Sequence, residues 1–348
     1  VDFVLDTSDT LDLVVGATYF WEDREYDPRG VITWQGGNLT VRSNAATDTS
    51  AFAAYANATF RPTPRLSLTV GGRWNHEKRG ISYAAVNGAG TVTFPQTDKD
   101  VTFKKFIPSA SIRYELAERT NVYASYSQGF RSGAWNLGGA ASPDLLLPIQ
   151  PENIKAYELG FKTRTGQFRF DVATFYYDYS GFHVTASGPN PLCGCGIIIQ
   201  VQNAKDAEIY GADGQVTWSP SSRFDLTLGA SWLHARYGTF PNATGTGLNP
   251  ITNLNAGSQI QDWSGKQMSR APNYSGNLAA TYRAPLADGQ LEMSANVHYT
   301  ASFVVSNPSL YGPGNGALSN KQRYRQGSYA TVDAQIAWTA PDQHMTIA

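Results

Sequence analysis

Long stretches of this chain alternate strictly between apolar and polar residues, and that period of two limits the fold more than any other feature. From Leu66 one phase reads Leu66, Leu68, Val70, Gly72 and Trp74, and the other reads Ser67, Thr69, Gly71, Arg73 and Asn75. Phe224, Leu226, Leu228, Ala230 and Trp232 likewise oppose Asp225, Thr227, Gly229 and Ser231. Leu291, Met293, Ala295, Val297 and Tyr299 repeat the pattern, as do Ala330, Val332, Ala334, Ile336 and Trp338. Successive side chains of a strand point to opposite faces, so each segment has one greasy and one wet face. About twelve such strands can be counted, with a thirteenth beginning after His344. Many run ~12–16 residues, where globular strands average ~5–6 and a tilted strand crosses a bilayer in ~9–11.

The connections alternate in length. Short polar turns fall at 61–65, 116–120, 164–167, 219–223, 284–290 and 340–345. Long linkers fall between them, at 25–47, 80–103, 134–152, 183–199, 239–267 and 305–327. Short turns on one rim and long loops on the other describe an outer-membrane barrel. Aromatic residues agree. Phe60, Tyr114, Phe168, Trp218, Phe224, Tyr282 and Trp338 lie beside short turns. Tyr19, Trp21, Trp74, Phe130, Tyr176, Trp232 and Tyr299 fall about one membrane thickness further along. A simple preference of aromatics for strands does not explain their clustering beside the turns. The expected fold is all-β, an antiparallel transmembrane β-barrel.

Composition narrows the classes. Charged residues make up 16% of the chain, against about 25% in globular domains. The net charge of −1 gives no field for nucleic acid. No run approaches the ~18 apolar residues of a spanning helix. The first residues, VDFVLDTSDT, lack the basic and apolar regions of a signal peptide, and HMTIA stops as a new alternating segment starts. Both termini therefore read as cuts inside a repeating pattern.

Several segments resemble TonB-dependent receptors: NVYASYSQGFRSGAWN (121–136), IQPENIKAYELGFKT (149–163), RFDVATFYYDYSGFHV (169–184) and NAKDAEIYGADGQVTWSP (203–220), in that order and spacing. The resemblance implies a 22-stranded barrel with a plugged lumen, of which this chain holds about the eighth to twentieth strands. It also implies that plug, TonB box and the first and last strands lie outside residues 1–348. An isolated set of about thirteen strands would expose two unpaired edges and aggregate. By resemblance the function is active, TonB-dependent uptake of a scarce nutrient, with a ferric siderophore foremost and glycans, cobalamin or aromatic compounds as alternatives. The location is the outer membrane of a Gram-negative bacterium. Implied partners are outer-membrane lipid and lipopolysaccharide, the TonB complex through the absent N-terminal region, and the small-molecule ligand.

Ligand contacts are expected on the long loops and upper lumen, because binding residues concentrate on loops carried by a rigid scaffold. The candidates are Trp34, Tyr83, Arg131, Trp135, Trp263, Tyr311, Arg323 and Tyr324. Aromatic faces and guanidinium groups suit a flat, anionic or catecholate ligand; the competing reading is that such aromatics pack on one another. Within the strands, Glu158 and Lys162 share the wet phase opposite Tyr157, Leu159 and Phe161. A charge on the lipid side would cost ~2–4 kcal/mol near the midplane.

Cys193 and Cys195 can form a strained local staple, remain two thiols, or bind a metal for which no nearby histidine completes a ligand set. His76, His183, His234, His298 and His344 are scattered singly. No Ser-His-Asp arrangement, paired-carboxylate motif or phosphate loop stands out. Neither catalytic residues, nor a metal site, nor a cofactor is expected, and the chain reads as something other than an enzyme. The rival classes are a passive porin, a small barrel enzyme and a soluble lectin-like sandwich. A sandwich needs a dry core between two sheets, whereas one face of nearly every strand here is polar.

Overall fold

The computed structural model describes residues 2–32, 41–87, 89–136, 142–189, 197–204, 206–248, 255–306, 324–341 and 346–347. Fourteen strands form one antiparallel sheet in which every neighbour in space is also the next sheet strand along the chain. They are β1 (Asp2–Ser8), β2 (Leu11–Ile32), β3 (Val41–Thr63), β4 (Leu66–Val86), β5 (Val92–Ala117), β6 (Thr120–Arg131) and β7 (Glu152–Thr165). The series continues with β8 (Phe168–Ser180), β9 (Asp206–Ser221), β10 (Phe224–Tyr237), β11 (Tyr274–Leu286), β12 (Gly289–Thr300), β13 (Tyr329–Thr339) and β14 (Thr346–Ile347). The sheet ends at β1 and β14, which do not pair with each other among the described residues. The only helical turn among those residues is a single 3₁₀ turn, Pro143–Leu145.

The sheet has one strand more than the thirteen counted in the sequence. The addition is β1, which pairs with β2 from Asp2↔Gly16 to Ser8↔Leu11. Its seven residues fall short of the ~9–11 that a spanning strand needs, so alternation alone does not mark it as a separate strand. Two expected loops also shrink. β4 and β5 continue as a hairpin beyond the band of alternation, leaving only 87–91 as the turn within linker 80–103. β2 and β3 invade linker 25–47 in the same way. Beyond the hydrocarbon both faces of a hairpin meet water, so the apolar phase disappears while the hydrogen-bond ladder persists.

On the opposite rim the turns are tight. Ala287 and Asp288 adopt φ of 49° and 61°, as a two-residue type I′ turn requires.

Register carries the architecture beyond what alternation alone can show. Leu66 pairs with Tyr114, which pairs with Val122, then Phe161, then Val172. Phe170, Val216, Leu228, Leu278, Val297 and Val332 form a second apolar row. Every strand thus presents its greasy phase to the same side. Among the described residues nothing covers that side: Leu159 is 60% exposed and Val332 71%, and apolar surface on this scale marks contact with a partner or a membrane. The two aromatic belts keep a constant spacing. Phe60 and Phe52, Tyr114 and Phe106, Phe168 and Tyr176, Trp218 and Tyr210, Phe224 and Trp232, and Tyr282 and Tyr274 all stand eight residues apart. Eight residues span about 26 Å of strand, or about 20 Å of depth at a ~40° tilt. That depth fits an apolar band of ~25 Å.

Candidate functional site

The wet face lines the concave side of the sheet. A hollow of about 380 Å³ is bounded there by Tyr123, Lys162, Asp171, Asp213, Ser231 and His298, among others. Glu158 and Lys162 both lie on this side, as their phase requires. The Tyr123 hydroxyl donates to Glu158 Oε1 at 2.6 Å, and Lys162 Nζ sits 5.3 Å from the centre of the Tyr123 ring. The Tyr123 ring lies across Gly160, where a Cβ would come within 2.3 Å of it. At the short-turn rim Arg283 bridges three strands, with Nη1 donating to Asp225 at 2.6 Å and Nε to Glu292 at 2.8 Å.

Above the upper belt the long connections fold inward into two small cores. In the first, Ile81, Ala85, Phe94 and Leu146 are buried, with Tyr83 and Trp135 packed against them. Tyr83 meets Phe94 edge to face at 4.9 Å, and burial pushes its phenol above the usual range despite an opposing hydrogen bond to Ser43. The Trp135 indole N–H donates to the Arg79 carbonyl at 3.1 Å. Lys99 Nζ donates to the carbonyls of Pro143 and Leu146 at 2.5 and 3.1 Å. It thereby ties the 3₁₀ turn to the wall of the β4–β5 hairpin. Ser132 donates to Glu77 at the foot of the same loop.

The second core contains Val184, Ala204, Tyr237, Phe240, Ala243 and Trp263. Trp263 is 7% exposed, stands edge to face on Phe240 at 5.7 Å, and donates from its indole N–H to Gln261 Oε1 at 3.0 Å. Beside it, hydrogen bonds from Ser264 hold the Asp262 carboxyl below the usual carboxylate range. Over this core the segments 197–203, 183–189, 243–248 and 255–261 join into a four-stranded sheet, so two sequence-distant loops fold as one body.

Between the cores lies a polar hub that sequence reasoning did not find. The Glu152 side chain is 7% exposed and its Oε2 accepts the backbone N–H of His183 at 2.8 Å. Its Oε1 accepts the Tyr179 hydroxyl at 3.4 Å and lies 3.7 Å from Arg131 Nη1. Asn203 Oδ1 accepts from Gln150 N at 3.0 Å, while its Nδ2 donates to the carbonyls of Gln150 and Gly181 at 2.8 and 2.7 Å. A buried carboxylate is stable only when its lone pairs are met. Here its partners come from three separate segments, which local sequence patterns cannot reveal.

The predicted ligand contacts therefore divide. Tyr83 and Trp135 come together in the first core, and Trp263 fills the second. Arg131 lies beside Glu152 with a side chain 73% exposed. Tyr324 is half-buried, and its carbonyl accepts from Val305 N at 2.7 Å beside the Phe303–Val304 and Arg325–Gln326 ladder. Trp34, Tyr311 and Arg323 lie outside the described residues, as do Cys193 and Cys195. Among the described residues no group of three or more His, Cys, Asp or Glu side chains is placed to hold a metal ion.

The family described as "TonB dependent receptor-like, beta-barrel" matches residues 1–348. The pesticin receptor of Yersinia enterocolitica is 23% identical over 308 residues, covering 87% of this chain and 39% of the receptor. The ferric-pyoverdine BN7/BN8 receptor of Pseudomonas putida is 25% identical over 317 residues, covering 84% and 38%. Among solved structures, the ferric yersiniabactin uptake receptor FyuA from Yersinia pestis superposes with a TM-score of 0.70 at 18% identity, covering 97% of this chain and 45% of that one. At that identity the match speaks to the fold. The chain spans about two-fifths of the length of these curated relatives.

Proposed function

Because the chain belongs to the TonB-dependent receptor-like β-barrel family, whose members reside in the outer membrane of Gram-negative bacteria, we propose that it forms wall and mouth of a receptor for active uptake of a ferric siderophore. The observation that carries this reading is the co-linear match to pesticin and ferric-pyoverdine receptors over more than four-fifths of the chain. The wet concave wall beneath a roof of packed loops supports it.

In this reading the fourteen strands are part of a 22-stranded barrel. A plug and the TonB contact are supplied from outside residues 1–348. Cargo is captured at the mouth and upper lumen, with Arg131 as the anion contact. Force transmitted through TonB rearranges the plug, and the polar contacts offered by the wet wall are individually weak enough to exchange. Lipopolysaccharide is the proposed neighbour of the exposed greasy face.

The test is uptake of a panel of iron-55-labelled ferric siderophores by iron-starved cells with and without the gene. Loss of uptake of one siderophore on deletion, and its collapse on adding a protonophore, is the expected result. Uptake that persists in de-energised cells would establish a passive channel instead.

A further inference from the structure

A barrel wall is held by its ladder of backbone bonds, so a place where two consecutive strands part inside the apolar band needs a cause. β5 and β6 part there. Their register runs from Ala117↔Thr120 to Ser109↔Ser127 and stops. Above that point, among the described residues, β5 pairs only with β4, up to Val86↔Val92, and β6 only with β7, up to Arg131↔Glu152. Ser109 stands three residues below Phe106 of the upper belt. An unmet backbone N–H is costly in hydrocarbon, and the residue just above the last pair is Pro108, which has none. The notch that opens there has the edge of β5 on one side and Gln128–Arg131 on the other.

Side chains hold the notch open. Beyond Arg131 the chain crosses the inner face of β5, where Phe103 is 7% exposed and a Cβ on Gly133 would come within 2.5 Å of its ring. It reaches β4, where Ser132 donates to Glu77 and the Trp135 indole N–H to the Arg79 carbonyl. Phe130, expected in the outer belt, shares a phase with Ser132, and both line a hollow of about 210 Å³ with Phe20, Ala53, Arg73 and Glu77. Carrying the Ser109↔Ser127 register upward gives a second arrangement, with Gly129 facing Ile107, Phe130 facing Phe106 and Arg131 facing Lys105. That arrangement adds ladder bonds, returns Phe130 to the belt as a cross-strand aromatic pair, and turns Ser132 away from Glu77. It also sets two cations opposite each other, which is unfavourable, whereas Arg131 now lies 3.7 Å from Glu152. Each arrangement satisfies groups that the other leaves unmet, as a two-state element requires.

We infer that Gln128–Trp135 is a gate built into the barrel wall. Parted from β5, it lies across the inner face of that strand and narrows the upper lumen. Zipped to β5, it becomes wall and clears the way along β4 and β5. The like charges of Arg131 and Lys105 keep the resting receptor parted. The two registers belong to the sheet itself, and only the passage of cargo rests on the receptor reading above.

The experiment traps each arrangement by disulfide in the full-length receptor, with Cys193 and Cys195 replaced by serine. Under mild oxidant, Ile107→Cys with Gly129→Cys should crosslink at least tenfold faster than Val101→Cys with Gly129→Cys, a pair that meets in neither arrangement. Adding Lys105→Glu, which turns the like pair into an opposite one, should speed the first crosslink about threefold. Glu77→Cys with Ser132→Cys should lock the parted form. That lock is expected to cut energised uptake of synthetic iron-55 tris-catecholate and tris-hydroxamate chelates at least fivefold relative to the same variant under reductant. Heat-modifiable migration on gels confirms that each variant is folded. Equal crosslinking rates for the first pair and its control, or uptake that is the same with the parted lock closed or reduced, overturns the inference. Cells with the parent receptor that import neither chelate count against the receptor reading, and the crosslinking rates then decide the two registers by themselves.

Discussion

The spanning band and the mouth use the same residue types to opposite ends. In the band, Phe106, Leu159, Tyr176 and Val332 present 45 to 71% of their surface outward. In the mouth, Phe94, Phe240 and Trp263 present 3 to 7%. The solvent on each side makes the difference. Hydrocarbon accepts an exposed ring, so the band needs only hydrogen-bonded neighbours and a correct phase. Water does not, so the mouth buries its aromatics in small cores. The lesson is that stability is divided: sheet ladders hold the band, and two small cores with a polar hub hold the mouth.

Three substitutions and one control probe that division. The largest effect is expected for Trp263→Ala, which empties the second core and should cost about 3–5 kcal/mol. If the two regions are independent, limited proteolysis will cut within 238–273 while the barrel band keeps its heat-modifiable migration. Concerted loss of both would break the comparison. Next comes Leu228→Arg, four residues from each belt on the greasy face, expected to cost about 2–4 kcal/mol at the bilayer midplane. Its wet-face neighbour Thr227→Arg should cost far less, as measured by urea titration of folding into lipid vesicles. The smallest is Glu152→Gln, which weakens charge-assisted acceptance from His183 N–H and Arg131 and should cost about 1–3 kcal/mol. Hydrogen exchange at the His183 amide should speed up, with exchange at mid-strand amides of β7 and β8 unchanged.

The same contrast explains how much was legible beforehand. In the band, phase, tight turns and belts all repeat with short periods, so Leu68, Val297 and Ile336 could be placed from the chain alone. The register rows then emerged because the turns on one rim are short. The mouth has no such period. Tyr83, Trp135 and Trp263 were visible as loop aromatics, but whether a loop ring faces ligand or a private core depends on residues far away, such as Leu146 or Val184. Glu152 was hidden for the same reason, since its partners arrive from 131, 179 and 183. β1 was missed because its seven residues fall short of the length of a spanning strand.

The account stands on the greasy phase facing hydrocarbon and the wet phase facing solvent. In a receptor whose Cys193 and Cys195 are replaced by serine, single cysteines at Leu68, Val297, Ile336, Thr69 and Asn296 can carry a fluorophore read against nitroxide-labelled lipid. Strong quenching at the first three, with Thr69 and Asn296 reached only by a water-soluble quencher, is the predicted result. Lipid quenching of Thr69 and Asn296 with the other three shielded would contradict it.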